Sequence, residues 1–195
     1  MKKSIVFALL LAGTTSFAQH FDIGIKGGAN ISNFTGSSNV NDLKASTLVG
    51  FHAGVFLGLY LGDNFSIQPE VLFSTQGAKI DNGTTKDDYK LTYINVPVLA
   101  KYRFNGGFYI EAGPQIGFNV HSTVAGTSED FAKSTDLAIA GGLGFSSKIG
   151  LGIGARYVAG LSKVGDFDAS TTRPDYKNGN IQISLFYTLF NGHKK

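Results

Sequence analysis

FYIEAGPQIGFNV, residues 108–120, alternates without a slip. Phe108, Ile110, Ala112, Pro114, Ile116, Phe118 and Val120 fall on one side of an extended chain; Tyr109, Glu111, Gly113, Gln115, Gly117 and Asn119 fall on the other. A period of two marks a strand with one greasy face and one polar or small face. An ordinary soluble strand runs to about 5–6 residues, whereas a tilted strand needs roughly 9–11 to cross a bilayer. This segment is long enough to cross.

Seven more segments carry the same alternation, at about 20–31, 47–61, 65–77, 90–104, 134–147, 151–163 and 179–190. Between them the connections alternate in length. Gly62-Asp63-Asn64, Asn105-Gly106-Gly107 and Lys148-Ile149-Gly150 read as tight turns, whereas 32–46, 78–89, 121–133 and 164–178 are long and rich in Ser, Thr, Asn, Asp and Gly. Short turns at the periplasmic end and longer outer loops are the habit of outer-membrane barrels. The pattern predicts an all-β fold, an eight-stranded antiparallel up-and-down transmembrane β-barrel. Pro69, Pro97 and Pro114 fall within strands, where a missing N–H disturbs the ladder, so local bulges are expected there.

The start of the chain reads as an export signal. Lys2 and Lys3 are followed by the apolar run 5–12, and Ser16-Phe17-Ala18 places small residues where a signal peptidase cuts, before Gln19. Residues 1–18 are therefore expected to be a signal peptide and 19–195 a single barrel domain in the outer membrane. Of 17 basic residues two leave with the signal, against 14 acids, so the near-balanced remainder points to no nucleic-acid partner. With no cysteine, lipid anchoring through cysteine, disulfides and thiolate metal sites are excluded.

The charges fall on the face that lacks large apolar groups: Asp22, Lys26, Glu70, Lys101, Arg103, Glu111, Asp136 and Arg156. Lys or Arg facing lipid at mid-membrane costs about 2–4 kcal/mol, so these side chains point inward. An eight-stranded barrel is only just wide enough for side chains to fill it, and unpaired buried charge is expensive. The four acids and four bases are thus expected to pair and plug the lumen. Inward glycines leave room for Phe56, Tyr60, Tyr93 and Tyr109. If Phe104 and Phe108 close a turn, Lys101 lies opposite Glu111, and Arg103 opposite Tyr109. The turn between Leu61 and Phe65 sets Phe56 opposite Glu70, and leaves Glu70 to seek Lys101 or Arg103 on the next strand.

FDIGIKGGANISNFTG (21–36), LTYINVPVLAKYRF (91–104) and NGGFYIEAGPQIGF (105–118) resemble the PorT-type outer-membrane β-barrel family of Bacteroidetes over nearly all of the mature chain. The resemblance implies an eight-stranded barrel of the cell envelope. Its name-giving member acts in assembly of a protein-secretion system. Trp is absent, so any interfacial girdle must use Tyr and Phe. The last alternating segment ends at Phe190 with NGHKK beyond it.

Chemical motifs are sparse. GLGIGA (150–155) has the look of a phosphate loop, but its glycines fall at alternate inward positions of a strand with no helix after it. His52 faces inward near the outer half and His121-Ser122 lies at a loop mouth; neither has a fixed acid partner, and a structural donor is the plainer reading. No two histidines have metal-ligand spacing, and the loop acids Asp166, Asp168 and Asp175 read as solvated. Sequons at Asn30, Asn33 and Asn82 mean little in a bacterial context. No catalytic, metal or cofactor site is expected. The reading is a structural or protein-interaction barrel, with secretion assembly as its specific version and a narrow small-solute channel as the alternative. Expected partners are membrane lipid and lipopolysaccharide, the barrel-assembly machinery and another envelope protein. Phe167, Arg173 and Tyr176 in the last long loop are the candidate contacts, being residue types favoured at interfaces.

Overall fold

The structure is a computed structural model that describes residues 21–35, 44–81, 86–124, 127–128, 135–163 and 177–192. The signal segment, the cleavage point before Gln19 and the loop residues Phe167, Arg173 and Tyr176 lie outside the described residues. So do Asn82, Asp166, Asp168 and Asp175.

Eight strands form the wall: β1 Phe21–Thr35, β2 Lys44–Tyr60, β3 Phe65–Asp81, β4 Lys86–Arg103, β5 Phe108–Val124, β6 Thr135–Ser146, β7 Leu151–Lys163 and β8 Lys177–Asn191. Each pairs antiparallel with its chain neighbours, and β1 pairs β8, so the sheet closes on itself. Closure leaves no edge among the eight wall strands, which matters in lipid, where a free backbone group finds no water. A two-residue strand, Thr127–Ser128, adds to the end of β5. No helix among the described residues is long and apolar enough to cross a membrane, which says nothing of crossing by strands.

The alternation sorts inside from outside as the sequence predicts. Outward residues such as Ile139, Leu143, Ile183 and Leu189 stay exposed, Leu143 at 62 %, while their inward neighbours Ala138, Ala140, Gln182 and Ser184 are buried. Aromatic pairs gather on the outer wall near the short turns: Phe21 stacks on Phe190 at 5.0 Å, and Phe108 meets Phe145 at 5.3 Å. With Tyr102 against Phe104 at 5.0 Å, they supply Phe and Tyr rings where Trp is absent.

The three short turns are built as expected. Leu61 N bonds Phe65 O, Phe104 N bonds Phe108 O and Ser147 N bonds Leu151 O. Gly106, Gly107 and Gly150 take positive φ of 99°, 95° and 88°, a region that only glycine enters freely. The registers they fix are those read from the sequence: Lys101 opposes Glu111, Arg103 opposes Tyr109 and Phe56 opposes Glu70.

Two expectations need correction. The prolines make no bulges. The register passes Pro69, Pro97 and Pro114 unshifted, and pairing merely lapses for two residues beside each, against β2, β3 and β4 in turn. The actual register shifts lie at Ile23/Gly24, Thr47/His52, Thr92/Tyr93 and Ala159/Lys163. Several strands also run further towards the loops than the alternation suggested, β2 to β5 reaching 17 or 18 residues. Beyond the bilayer both faces of a ladder meet water, so pairing continues there without any apolar alternation to announce it.

Candidate functional site: the barrel interior

Inward glycines set how much can be packed into the lumen. An alanine at Gly144 or Gly154 would place its Cβ 2.5 Å from the Tyr109 hydroxyl, and one at Gly24 or Gly152 would overlap the rings of Phe56 or Phe186. Phe56, Tyr109 and Phe186 thereby form an aromatic layer just inside the turn end, with Phe56 edge-on to Phe186 at 5.9 Å. Below it, facing the short turns, a mouth of about 440 Å³ is lined by Asp22, Arg103, Lys148 and Thr188 among others. The Tyr60 hydroxyl donates to Asp22 at 2.7 Å, and the Arg103 guanidinium sits 5.5 Å from the Tyr60 ring centre.

The central layer is charged and crosses the lumen. Arg156 on β7 donates to both carboxylate oxygens of Glu70 on β3, at 2.9 and 3.0 Å. Its Nε and Nη2 both reach Glu111 Oε1 on β5, at 2.9 and 2.7 Å. Lys26 on β1 donates to Glu70 as well. Lys101 on β4 bonds Gln68 at 3.2 Å, Gln68 bonds Glu70 at 2.7 Å, and Lys101 Nζ stands 3.9 Å from Glu111. One guanidinium is thus forked between two carboxylates, a geometry that arginine's planar donors fit and lysine's do not. Both lysines rest against rings, Lys101 with its Nζ 3.7 Å from the Tyr109 centroid and Lys26 5.9 Å from that of Phe56.

The interior expectation therefore divides. Lys26, Glu70, Lys101, Glu111 and Arg156 come together in one cluster. Asp22 and Arg103 sit apart at the turn-end mouth, and Asp136 stands towards the loops, opposite Gly117. Glu70 does not turn to Lys101 or Arg103 on the adjacent strand, as the hairpin arithmetic suggested. In so narrow a lumen the far wall is within reach, and Gln68 stands between Glu70 and Lys101. Phe186 was not singled out from the sequence, although its inward parity on β8 was available.

On the loop side of the charges a neutral network spans β1, β2, β3 and β8. His52 Nδ1 lies 2.8 Å from Asn30 Oδ1 and its Nε2 lies 2.8 Å from Ser184 Oγ. The Asn30 oxygen can only accept, so Nδ1 carries the proton and Nε2 accepts from the serine. Ser–His–Asn is the connectivity of an acyl-transfer relay, but such a site also needs room for a reacting carbonyl beside free oxyanion donors. Here all three side chains are buried, and the Asn30 amide nitrogen is engaged by Phe51 O, Ser74 Oγ and Thr75 O. The network reads as a brace. The described residues hold no group of three or more His, Asp or Glu placed to bind a metal.

A closed antiparallel barrel with an apolar outer wall and a charged, packed lumen defines a membrane-spanning outer-membrane barrel. Residues 17–166 match the family model described as "Outer membrane protein beta-barrel domain", and the chain belongs to that family. The solved structure of neisserial surface protein A (NspA) is similar, at 15 % identity, over 86 % of this chain and 97 % of that one, with a TM-score of 0.58. Ail, the attachment invasion locus protein of Yersinia pestis, solved with the heparin analogue sucrose octasulfate, is similar at 19 % identity over 87 % of this chain and 99 % of that one, TM-score 0.53. At these identities the likeness is one of fold. No curated protein matches the sequence.

Proposed function

We propose that this barrel is a sealed scaffold of the outer membrane that acts through its outer loops and periplasmic turns, as a structural or protein-interaction component and not as an enzyme. The observation that supports this reading is the charged layer: Arg156, Glu70, Glu111, Lys26 and Lys101 tie five strands together across the lumen. With the interior spent on packing, the loops and turns are what remains for recognition. The resemblance to PorT-type barrels of Bacteroidetes carries the specific version, a part in assembling a protein-secretion system. A narrow small-solute channel is the second reading, favoured by the polar mouth at the turn end; it requires the charged layer to open.

The test replaces residues 164–176, which precede β8, by a short Gly/Ser linker and compares envelope proteins crosslinked to the two forms in intact cells. Removal of Phe167, Arg173 and Tyr176 is expected to abolish a specific crosslink while the barrel keeps its heat-modifiable migration on detergent gels. An unchanged crosslinking pattern would contradict a role for this loop, and lost heat-modifiability would make the loop structural.

A further inference from the structure

Loop-side of the charged layer, polar atoms go unsatisfied on two parts of the wall, at Asn33 and Asn180 on β1 and β8 and on the stretch made by β4, β5 and β6, where a carboxylate is among them. Asn95 Nδ2 on β4, Gln115 Oε1 on β5 and Asp136 Oδ1 on β6 are buried without a hydrogen-bond partner. Asn95 and Gln115 are only 2 % and 5 % exposed. Leaving such an atom without a partner is costly, and native interiors leave few of them unexplained. The ladder sets these side chains on three adjacent strands: Gly117 pairs with Asn95 on one flank and Asp136 on the other, and Gln115 is the next inward residue along β5. Glycine at 117 lets the flanking groups lean together. A Cβ there would lie 2.7 Å from Asn95 Oδ1 and 3.7 Å from Asp136 Cβ.

The charge balance says what chemistry would suit them. Glu70 and Glu111 are met by Arg156 and the two lysines, and Asp22 accepts from Tyr60. Among the described residues Asp136 has no base within ion-pair distance, and the inward bases Lys26, Lys101, Arg103 and Arg156 all lie nearer the turn end. One carboxylate oxygen and one amide oxygen, both unsatisfied and at neighbouring inward positions of β6 and β5, are the ligand type that hard cations take, and an amide N–H on the next strand suits a cation-bound water. We propose that the loop-side interior is a site for a hard divalent cation such as Ca²⁺, held by Asp136 and Gln115 with Asn95 orienting a water of its shell. With one carboxylate the affinity belongs at the weak end, a Kd of about 10⁻⁴–10⁻³ M.

Tyr93 supplies a direct readout, since its ring lies 3.3 Å from the Gly117 Cβ position and tyrosine sensitises terbium luminescence at short range. Refolded full-length barrel, checked for heat-modifiability, is titrated with Tb³⁺ and then with Ca²⁺. Tyrosine-sensitised emission that Ca²⁺ displaces is expected. Asp136→Asn should reduce it about tenfold, and Gln115→Met should weaken Tb³⁺ binding several-fold. Ca²⁺ should raise the thermal midpoint of the native protein and leave that of Asp136→Asn unmoved. Emission indifferent to both substitutions would place the ion elsewhere and overturn the site, as would no emission together with no shift by Ca²⁺. If Asp136→Asn fails to fold, Gln115→Met alone decides by the same readouts.

Discussion

Arg156→Met is expected to be among the most damaging single substitutions in the barrel, lowering stability by about 3–5 kcal/mol. Methionine keeps much of the bulk but removes the fork that holds Glu70 and Glu111 together, at 2.7 to 3.0 Å on both sides. Lys26 still reaches Glu70, but Glu111 is left with Lys101 at 3.9 Å. The two lysines still match the two carboxylates in number, but neither bridges them, so the buried carboxylates lose the group that joined them. The loss should read out as a lower temperature for the shift between folded and unfolded bands in detergent. Adding Glu111→Gln should recover a large part of it, because the stranded charge goes with its partner. Lys101→Ala, which removes the longer ion pair and a ring contact, should cost less than Arg156→Met. Strict additivity of Arg156→Met and Glu111→Gln in a double-mutant cycle would contradict the bridge.

The second large effect comes from the opposite face. Ile139 on β6 is 53 % exposed and flanked along the strand by the buried Ala138 and Ala140. It points outward into the apolar band, near the middle of β6. Ile139→Arg should destabilise the protein folded in lipid bilayers by about 2–4 kcal/mol. In a water-soluble barrel the same substitution would be nearly neutral, since an exposed Arg costs little. Folding free energies from denaturant titration in liposomes provide the measurement. A change within about 0.5 kcal/mol would mean that this wall does not face hydrocarbon.

How much of this was legible in the sequence follows from which constraints are local. The alternation at 108–120 and its counterparts fixes which side chains enter the lumen, because a one-residue slip would put every charge into lipid. The short turns fix register, so Lys101 against Glu111 and Phe56 against Glu70 could be read directly. Register across the long loops could not. Nothing in 32–46 tells how β1 aligns with β2, so the Asn30–His52 contact was hidden, though both residues were assigned inward. Contacts across the lumen were hidden for a second reason. Arg156 and Glu70 are far apart in the chain and belong to strands that do not pair, and only the closed barrel brings them together. The same limit concealed that Asp136 stands apart from the cluster to which its parity alone had assigned it.

Sealing by side chains is tested most directly by electrical recording from the purified protein in planar lipid bilayers. With the lumen crossed by Arg156, Glu70 and Glu111 and backed by the Phe56–Tyr109–Phe186 layer, the native barrel should insert without giving any stable ohmic conductance. A reproducible single-channel conductance from the native protein, absent from protein-free controls, would contradict the sealed barrel and put the channel in its place.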